Sequence, residues 1–261
     1  SFPSLDPIES YAHGAPDPYG AAIWNGSGIR VGGSDGLLHS GGTGSLGPVT
    51  AVNGSGPHRT VLHNATVSVW KDQKRISTFS VPPNAHSMAM NRTGRLLAMV
   101  VPGVGLRIFD LPEGRALFNA DPETGTATDV HTGGDVVSVQ LRDGGIRWWH
   151  LAKNCGFSLP WPAAHALSGS GTWLGVTTPN GAIRILDPET GKDALAAPTP
   201  LSDRPIQRVA FMNRAPALLV MDADGVLGHY DLTDSARTGH PATGSDVLSI
   251  NVPVDKLWGI T

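Results

Sequence analysis

A short apolar strand, a small polar residue and a glycine turn recur along this sequence. The copies read AIWNGSGIRVG, TAVNGSGPHRTV, MAMNRTGRLLAM, TDVHTGGDVVSV, HALSGSGTWLGV, AFMNRAPALLVM and LSINVPVDKLWG. The shared position holds Asn25, Asn53, Asn91, His131, Ser168, Asn213 and Asn251, at intervals of about 28 to 45 residues. Repeats of that length belong to arrays in which one supersecondary unit buries its apolar faces against the next. Each copy is strand, tight turn, strand. Asn, Ser and Gly suit a turn that uses side-chain-to-backbone hydrogen bonds or positive φ.

A second motif follows the first: SDGLLHS, NATVSVWKD, GVGLRIFDL, DGGIRWWHL, NGAIRILDP and DGVLGHYDL. The pairs Asp35-Gly36, Asp143-Gly144, Asn180-Gly181 and Asp224-Gly225 are two-residue hairpin signals. The strands after them alternate, and most end on an aromatic: Trp70, Phe109, Trp149, Tyr230. A looser fourth strand, as in RALFNADP or DALAAPTP, leads to the next unit. Units of about four antiparallel strands repeated around an axis are the blades of a β-propeller. Six units look complete. The seventh begins at DVLSINVPVDKLWGIT, and its missing half is at the other end, where SLDPIESYAHGAPDP mirrors ILDPETGKDALAAPTP. The expected fold is all-β: one seven-bladed propeller domain over residues 1–261, built of four-stranded antiparallel blades. Its ring closes by residues 1–14 joining residues 246–261, which removes the open sheet edges of a linear array. The short first interval predicts a reduced or absent outer strand in the first blade.

The stretches MNRTGRLLAMVVPGVGLRIFDL, LSGSGTWLGVTTPNGAIRILD and MNRAPALLVMDADGVLGHYDL resemble the WD40 repeat family. They share its turn-glycine-hydrophobic run and its ending of hydrophobic, aromatic and Asp. The resemblance covers nearly the whole chain in degenerate copies, without a literal Trp-Asp pair. It implies a propeller that scaffolds protein–protein contacts.

Formal net charge is -3 and the pI is near 6.3, so the totals lack the basic excess of a nucleic-acid reader. No apolar run approaches the ~18 residues of a membrane span. Cys155 is the single cysteine, so no intrachain disulfide forms. SFPSLDPIES has neither a basic nor an apolar leader region. These features predict an intracellular, cytoplasmic protein with no membrane or nucleic-acid partner.

Motifs that could carry chemistry are better explained by turns and core. GTGSLG (Gly42, Gly44, Gly47) matches a dinucleotide fingerprint, but Pro48 and a strand follow where a helix must start. The sequons at Asn25, Asn53, Asn64 and Asn91 fall mostly on the repeated turn. Asp222 and Asp224 lack the distal acid of a calcium loop. The histidines show no zinc spacing. His229 takes the place of Ile108 and Ile185, so it reads as a packed histidine. There is no nucleophile elbow, and Cys155 has no adjacent base. The expectation is therefore no catalytic residue, no cofactor and no metal.

Trp70 and Trp149 hold repeat positions, with Trp148 as strand neighbour. Trp24, Trp173 and Trp258 lie in inner segments. Trp161, in SLPWPAAH, stands between prolines in a connection between blades. Such connections are proline-rich throughout and therefore stiff. The connections that lead into each innermost strand emerge on one face, and they contain Tyr19, His86, Trp161 and Arg204. The leading expectation is a non-catalytic scaffold or complex subunit. It binds a protein or peptide on this face, with Trp161 as anchor. The bland alternative is Trp161 tucked against its own blade. Two other functions stand beside the scaffold. One is a lactonase- or lyase-type enzyme at the central channel, for which Asp129 and His165 are the evident candidates. The other is a lectin-like sugar binder, which would need aromatics equivalent to Trp161 in other blades.

Overall fold

The computed structural model describes most of residues 18–249, leaving out segments of which the longest are 40–48, 197–204 and 234–243. Of the expected ring closure between residues 1–14 and 246–261, residues 1–14 and 250–261 lie outside the described residues. Among the described residues the strands form six antiparallel sheets, each running in chain order. The first holds β1 (Pro18–Trp24), β2 (Ile29–Gly33) and β3 (Leu38–His39). The second holds β4 (Val49–Ser55), β5 (His58–His63), β6 (Thr66–Lys71) and β7 (Lys74–Ser80). The third holds β8 (His86–Met90), β9 (Leu96–Val101), β10 (Gly105–Asp110) and β11 (Arg115–Asn119). The fourth holds β12 (Ala127–Gly133), β13 (Val136–Leu141), β14 (Ile146–His150) and β15 (Cys155–Leu159). The fifth holds β16 (His165–Leu167), β17 (Leu174–Thr177) and β18 (Ile183–Leu186). The sixth holds β19 (Ile206–Phe211), β20 (Ala217–Asp222), β21 (Val226–Asp231) and β22 (Gly244–Ser249).

The four-strand unit is realised in four of these sheets. The first sheet is short, its third strand covering two residues. In the fifth, DALAAPTP does not form a strand over its described part. A single bridge joins Leu186 to Asp193, and the Ala194 N–H donates to the Ile185 carbonyl at 2.8 Å. One assignment changes. Asp246–Ser249 does not open a seventh blade; it lies in β22 and pairs with β21 as the outer strand of the sixth. Without β22 the β21 edge would leave a row of unpaired backbone groups, and the nearest later strand satisfies them.

The core lies between the sheets. One cluster joins second and third blades through Leu62, Val69, Met88, Leu97 and Phe109. Others join third to fourth, fourth to fifth, and fifth to sixth. Both faces of a blade are covered, so the central strands are apolar without alternation, and every residue of β9 (LLAMVV) is buried. The third-strand aromatics meet outer-strand phenylalanines of the preceding blade. Phe79 lies 5.3 Å from Phe109, and Phe118 lies 5.9 Å from Trp149, centroid to centroid.

Glycine turns set the hairpins. The Gly144 N–H donates to the Leu141 carbonyl and the Gly181 N–H to that of Thr178, both at 2.9 Å. These glycines have φ of +89° and +79°. Asp143-Gly144 and Asn180-Gly181 thus close three-residue loops with glycine in the left-handed place, instead of two-residue loops; Asp35-Gly36 and Asp224-Gly225 lie outside the described residues. A two-residue tip occurs at Asn64-Ala65, with φ of 45° and 55°.

Candidate functional site

The third-strand aromatics fix the register between blades, and that register divides the repeated polar position. Asn91 and Ser168 occupy true turn places. The Asn91 Oδ1 accepts from the backbone N–H groups of Arg95 and Leu96, each at 3.0 Å. Ser168 Oγ accepts from the Trp173 N–H at 3.0 Å. Asn53 and His131 sit two residues earlier, inside the innermost strand. They pair with Thr60 and Ser138, where Ala89 pairs with Ala98. In the sixth blade the equivalent backbone bond runs from the Met212 N–H to the Ala217 carbonyl at 2.9 Å. Asn25, Asn213 and Asn251 lie outside the described residues.

The earlier position faces the next blade at the inner edge of the ring. The Asn53 amide uses it to imitate a peptide group. Its Oδ1 accepts from the Met90 N–H at 2.9 Å, and its Nδ2 donates to the Met88 carbonyl at 3.3 Å. Asn91 also crosses between blades, donating to the Gly134 carbonyl at 3.0 Å. Two of the four sequons are therefore occupied by structural hydrogen bonds, and Asn64 is exposed at its hairpin tip.

His131 uses the same position differently. Its Nε2 is 3.2 Å from Asp129 Oδ2, and the two side chains are 35% and 46% exposed. The His131 ring meets the His165 ring edge-on at 4.6 Å. His165 Nε2 lies 3.1 Å from Ser138 Oγ. Asp129 and His165, separate in sequence, are thus joined through a histidine that reads as a turn residue. The signal that could have found it is the i, i+2 spacing of Asp129 and His131, which puts both on one face of a strand. Burial works against the Asp129 charge. The hydrogen bond and charge of His131, helped by the Val130 N–H, outweigh it and hold the carboxyl below its ordinary range. Burial pushes the His165 imidazole well below the usual histidine value; His131 adds to this, and Asp129 opposes without offsetting it. Ser138 is completely buried and His165 is 5% exposed, so this Ser–His pair has no approach from solvent. Among the described residues no three His, Cys, Asp or Glu side chains gather as a metal site requires.

Beside this cluster, at the end where innermost strands begin, is an open groove of about 510 Å³. Gln140 lines it from the fourth blade, Ala164, Thr177 and Pro179 from the fifth, and Pro205 and Ile206 at the start of the sixth. Gln140 is the cross-strand partner of Asp129, and Ala164 directly precedes β16.

Two solved structures from Kluyveromyces lactis share this architecture. Hsv2 with a complete loop 6CD has a TM-score of 0.62 and 10% identity, over 87% of this chain and 77% of that one. A second Hsv2 structure has a TM-score of 0.58 and 11% identity, over 82% and 71%. The Cps50 (Swd1) β-propeller domain of Myceliophteria thermophila has a TM-score of 0.53 and 15% identity, over 75% and 69%. The fold is that of a WD40-like β-propeller. No protein-family model and no curated protein matches the sequence.

Within the propeller, three of the four expected binding residues are described, at or shortly before innermost strands. Tyr19 and His86 lie in the first residues of β1 and β8. Trp161 stands four residues before β16. Arg204 lies outside the described residues, two positions before β19. Trp161 is half-buried and packs on the cluster that contains Ile146, Trp148 and Leu174. Its Nε1 is buried without a hydrogen-bond partner among the described residues, so a second molecule would meet another edge of the ring. His229 is partly buried in β21. Cys155 is partly buried too, with Sγ 3.4 Å from the Glu189 carbonyl of the next blade.

Proposed function

We propose that this propeller is a non-catalytic interaction module of 1–261, acting as a scaffold or complex subunit. It docks a protein or peptide on the face where its innermost strands begin. The observation that carries the reading is the groove across the fourth to sixth blades. It combines prolines, small apolar residues and a few polar groups, a lining suited to an extended segment. The proline-rich connections restrict its walls, which lowers the entropy lost on binding. Trp161 is the proposed anchor, with Tyr19, His86 and Arg204 on the same face. Neither a nucleic acid nor a membrane is a partner in this reading, and the setting is intracellular. Among the described residues no helix is long and apolar enough to cross a membrane. The mirrored SLDP and ILDP segments support a seventh blade that uses residues 1–14 with the chain beyond Ser249. Deleting 1–14 should lower the melting temperature.

The test begins with capture of partners by the intact chain. Pro179→Arg places a charge in the groove at an exposed turn residue and should reduce capture tenfold or more. Thr172→Arg, on the turn at the opposite end of the fifth blade, should leave capture unchanged. Equal loss with both would refute the assignment of the face. Trp161→Ala should weaken binding on the order of 30-fold if Trp161 is the anchor. A loss of ~3 kcal/mol in stability, with normal binding by the folded fraction, would assign it to packing instead.

A further inference from the structure

The seam between the fourth and fifth blades is fastened unevenly. On the outer side, Trp148 Nε1 donates to the Pro188 carbonyl at 3.1 Å, and Lys153 pairs with Glu189 at 3.1 Å. Along the turns, the Gly134 N–H donates to the Gly169 carbonyl at 3.2 Å, and the backbones of Gly133 and Gly171 nearly touch. At the inner edge the fifth blade offers only β16, three residues long. The seam there closes on Leu167, which packs in the cluster with Val136 and Trp148, and on one imidazole, His165, held against Ser138 and edge-on to His131.

That imidazole has room for one proton and not two. Its Nε2 has Ser138 Oγ as partner, whereas its Nδ1 is buried and has none among the described residues. The network assigns the proton to Nε2, donating to Ser138, with Nδ1 a bare lone pair. A second proton would create an N–H with no acceptor and a charge with no solvent. The surrounding elements do not offset it. From β12 come Asp129, bonded to His131, and His131 itself. From β13 comes the uncharged Ser138. The β17 residues opposite β16 are Leu174, Gly175 and Val176. On β19 the charged residue is Arg208, which is exposed.

We propose that the inner edge of the seam between the fourth and fifth blades is an acid-released latch, with His165 as its proton-sensitive bolt. Above the histidine range the seam is closed. On acidification His165 takes up its second proton only by leaving its site. β16 then separates from β12, while the outer rim stays fastened. Gln140 and Ala164 stand on opposite sides of this seam, so release alters the groove. The latch itself does not depend on whether the groove binds a partner.

The sign follows from linkage. The closed state holds His165 neutral, with its pKa depressed, and the open state takes up a proton at the ordinary value near 6.5. Opening therefore gains a proton, and closure is lost as pH falls through about 6.5. Between pH 7.5 and 5.5 one such proton multiplies the opening equilibrium about tenfold.

Amide hydrogen exchange of the intact chain, corrected for intrinsic pH dependence, tests this. Protection in β16 and β17 should fall about tenfold between pH 7.5 and 5.5, with β9 and β10 of the third blade as the unchanged reference. His165→Gln, whose side-chain amide can still bond Ser138, should abolish the pH dependence. An NMR titration of the unmutated protein gives a second reading that needs no variant. The His165 ring should remain neutral at pH 5.5 in the closed state. Normal titration near 6.5, or equal loss of protection in all blades, would overturn the latch.

Discussion

Asn91→Ala tests the repeated turn most sharply. Asn91 is 3% exposed and makes four side-chain hydrogen bonds. Its Oδ1 accepts from the Arg95 and Leu96 N–H groups and from Thr93 Oγ, and its Nδ2 donates to Gly134. Arg95 and Thr93 are exposed, so water replaces the amide there and each loss costs about 0.5 kcal/mol. The bond to the Leu96 N–H is buried, and the Gly134 carbonyl lies inside the seam with the fourth blade. Each of these groups would be left unsatisfied at about 1–3 kcal/mol. The sum is about 3–7 kcal/mol. Ser168→Ala at the equivalent turn loses the Trp173 bond and makes no contact of the Gly134 kind, so it should cost about 1–2 kcal/mol. Urea denaturation followed by circular dichroism and by tryptophan fluorescence gives both values on one scale. A loss below ~1 kcal/mol for Asn91→Ala, or one no larger than for Ser168→Ala, would refute the claim that this side chain ties two blades together.

Three further substitutions separate backbone strain, contact and hydrogen bonding. Gly114 has φ +69°, and an added Cβ would overlap the Phe79 ring, so Gly114→Ala should cost more than ~3 kcal/mol. Gly103 has φ +72° but open space around it; Gly103→Ala should cost only ~1–2 kcal/mol, and equal melting temperatures for the two variants would contradict the steric account. Trp148→Phe removes the bond to the Pro188 carbonyl from a ring that is 1% exposed. It should lower stability by about 2 kcal/mol in the same denaturation assay.

The sequence made the period visible because a blade buries both faces. Apolar central strands, terminal aromatics and glycine turns must recur wherever a sheet meets another sheet. The first blade's expected reduced or absent outer strand was read from the short interval, and residues 40–48, where it would fall, lie outside the described residues. Register was not legible. VNGSG around Asn53 and VHTGG around His131 look like MNRTG around Asn91, yet only Asn91 is at a turn. Hairpin length is decided by the strand across the gap: β4 and β12 continue to Ser55 and Gly133, where β8 stops at Met90. Local composition carries no record of that partner. The convergence of Asp129, His131 and His165 was hidden likewise, because it joins neighbouring blades instead of neighbouring residues. The assignment of Asp246–Ser249 to a seventh blade followed from counting repeats, and pairing with β21 decided otherwise.

The register identifies one position at which an innermost strand addresses the next described blade: Asn53, Ala89, His131 and Ala166. The backbone there is common, so the side chain decides how the seam is made. Asn53 spans the Met88 carbonyl and the Met90 N–H, the two groups flanking Ala89. The matching groups on β16 are the His165 carbonyl and the Leu167 N–H, flanking Ala166. His131→Asn should therefore build the same amide clamp between the fourth and fifth blades. Two hydrogen bonds of net ~1 kcal/mol each replace one ring contact and the ion pair with a half-exposed Asp129. The expected result is a gain of about 1–2 kcal/mol in stability at neutral pH, with slower exchange of the Leu167 amide. Destabilisation by more than ~1 kcal/mol, or unchanged exchange at Leu167, would show that His131 occupies this place for packing alone and that the position is not interchangeable between blades.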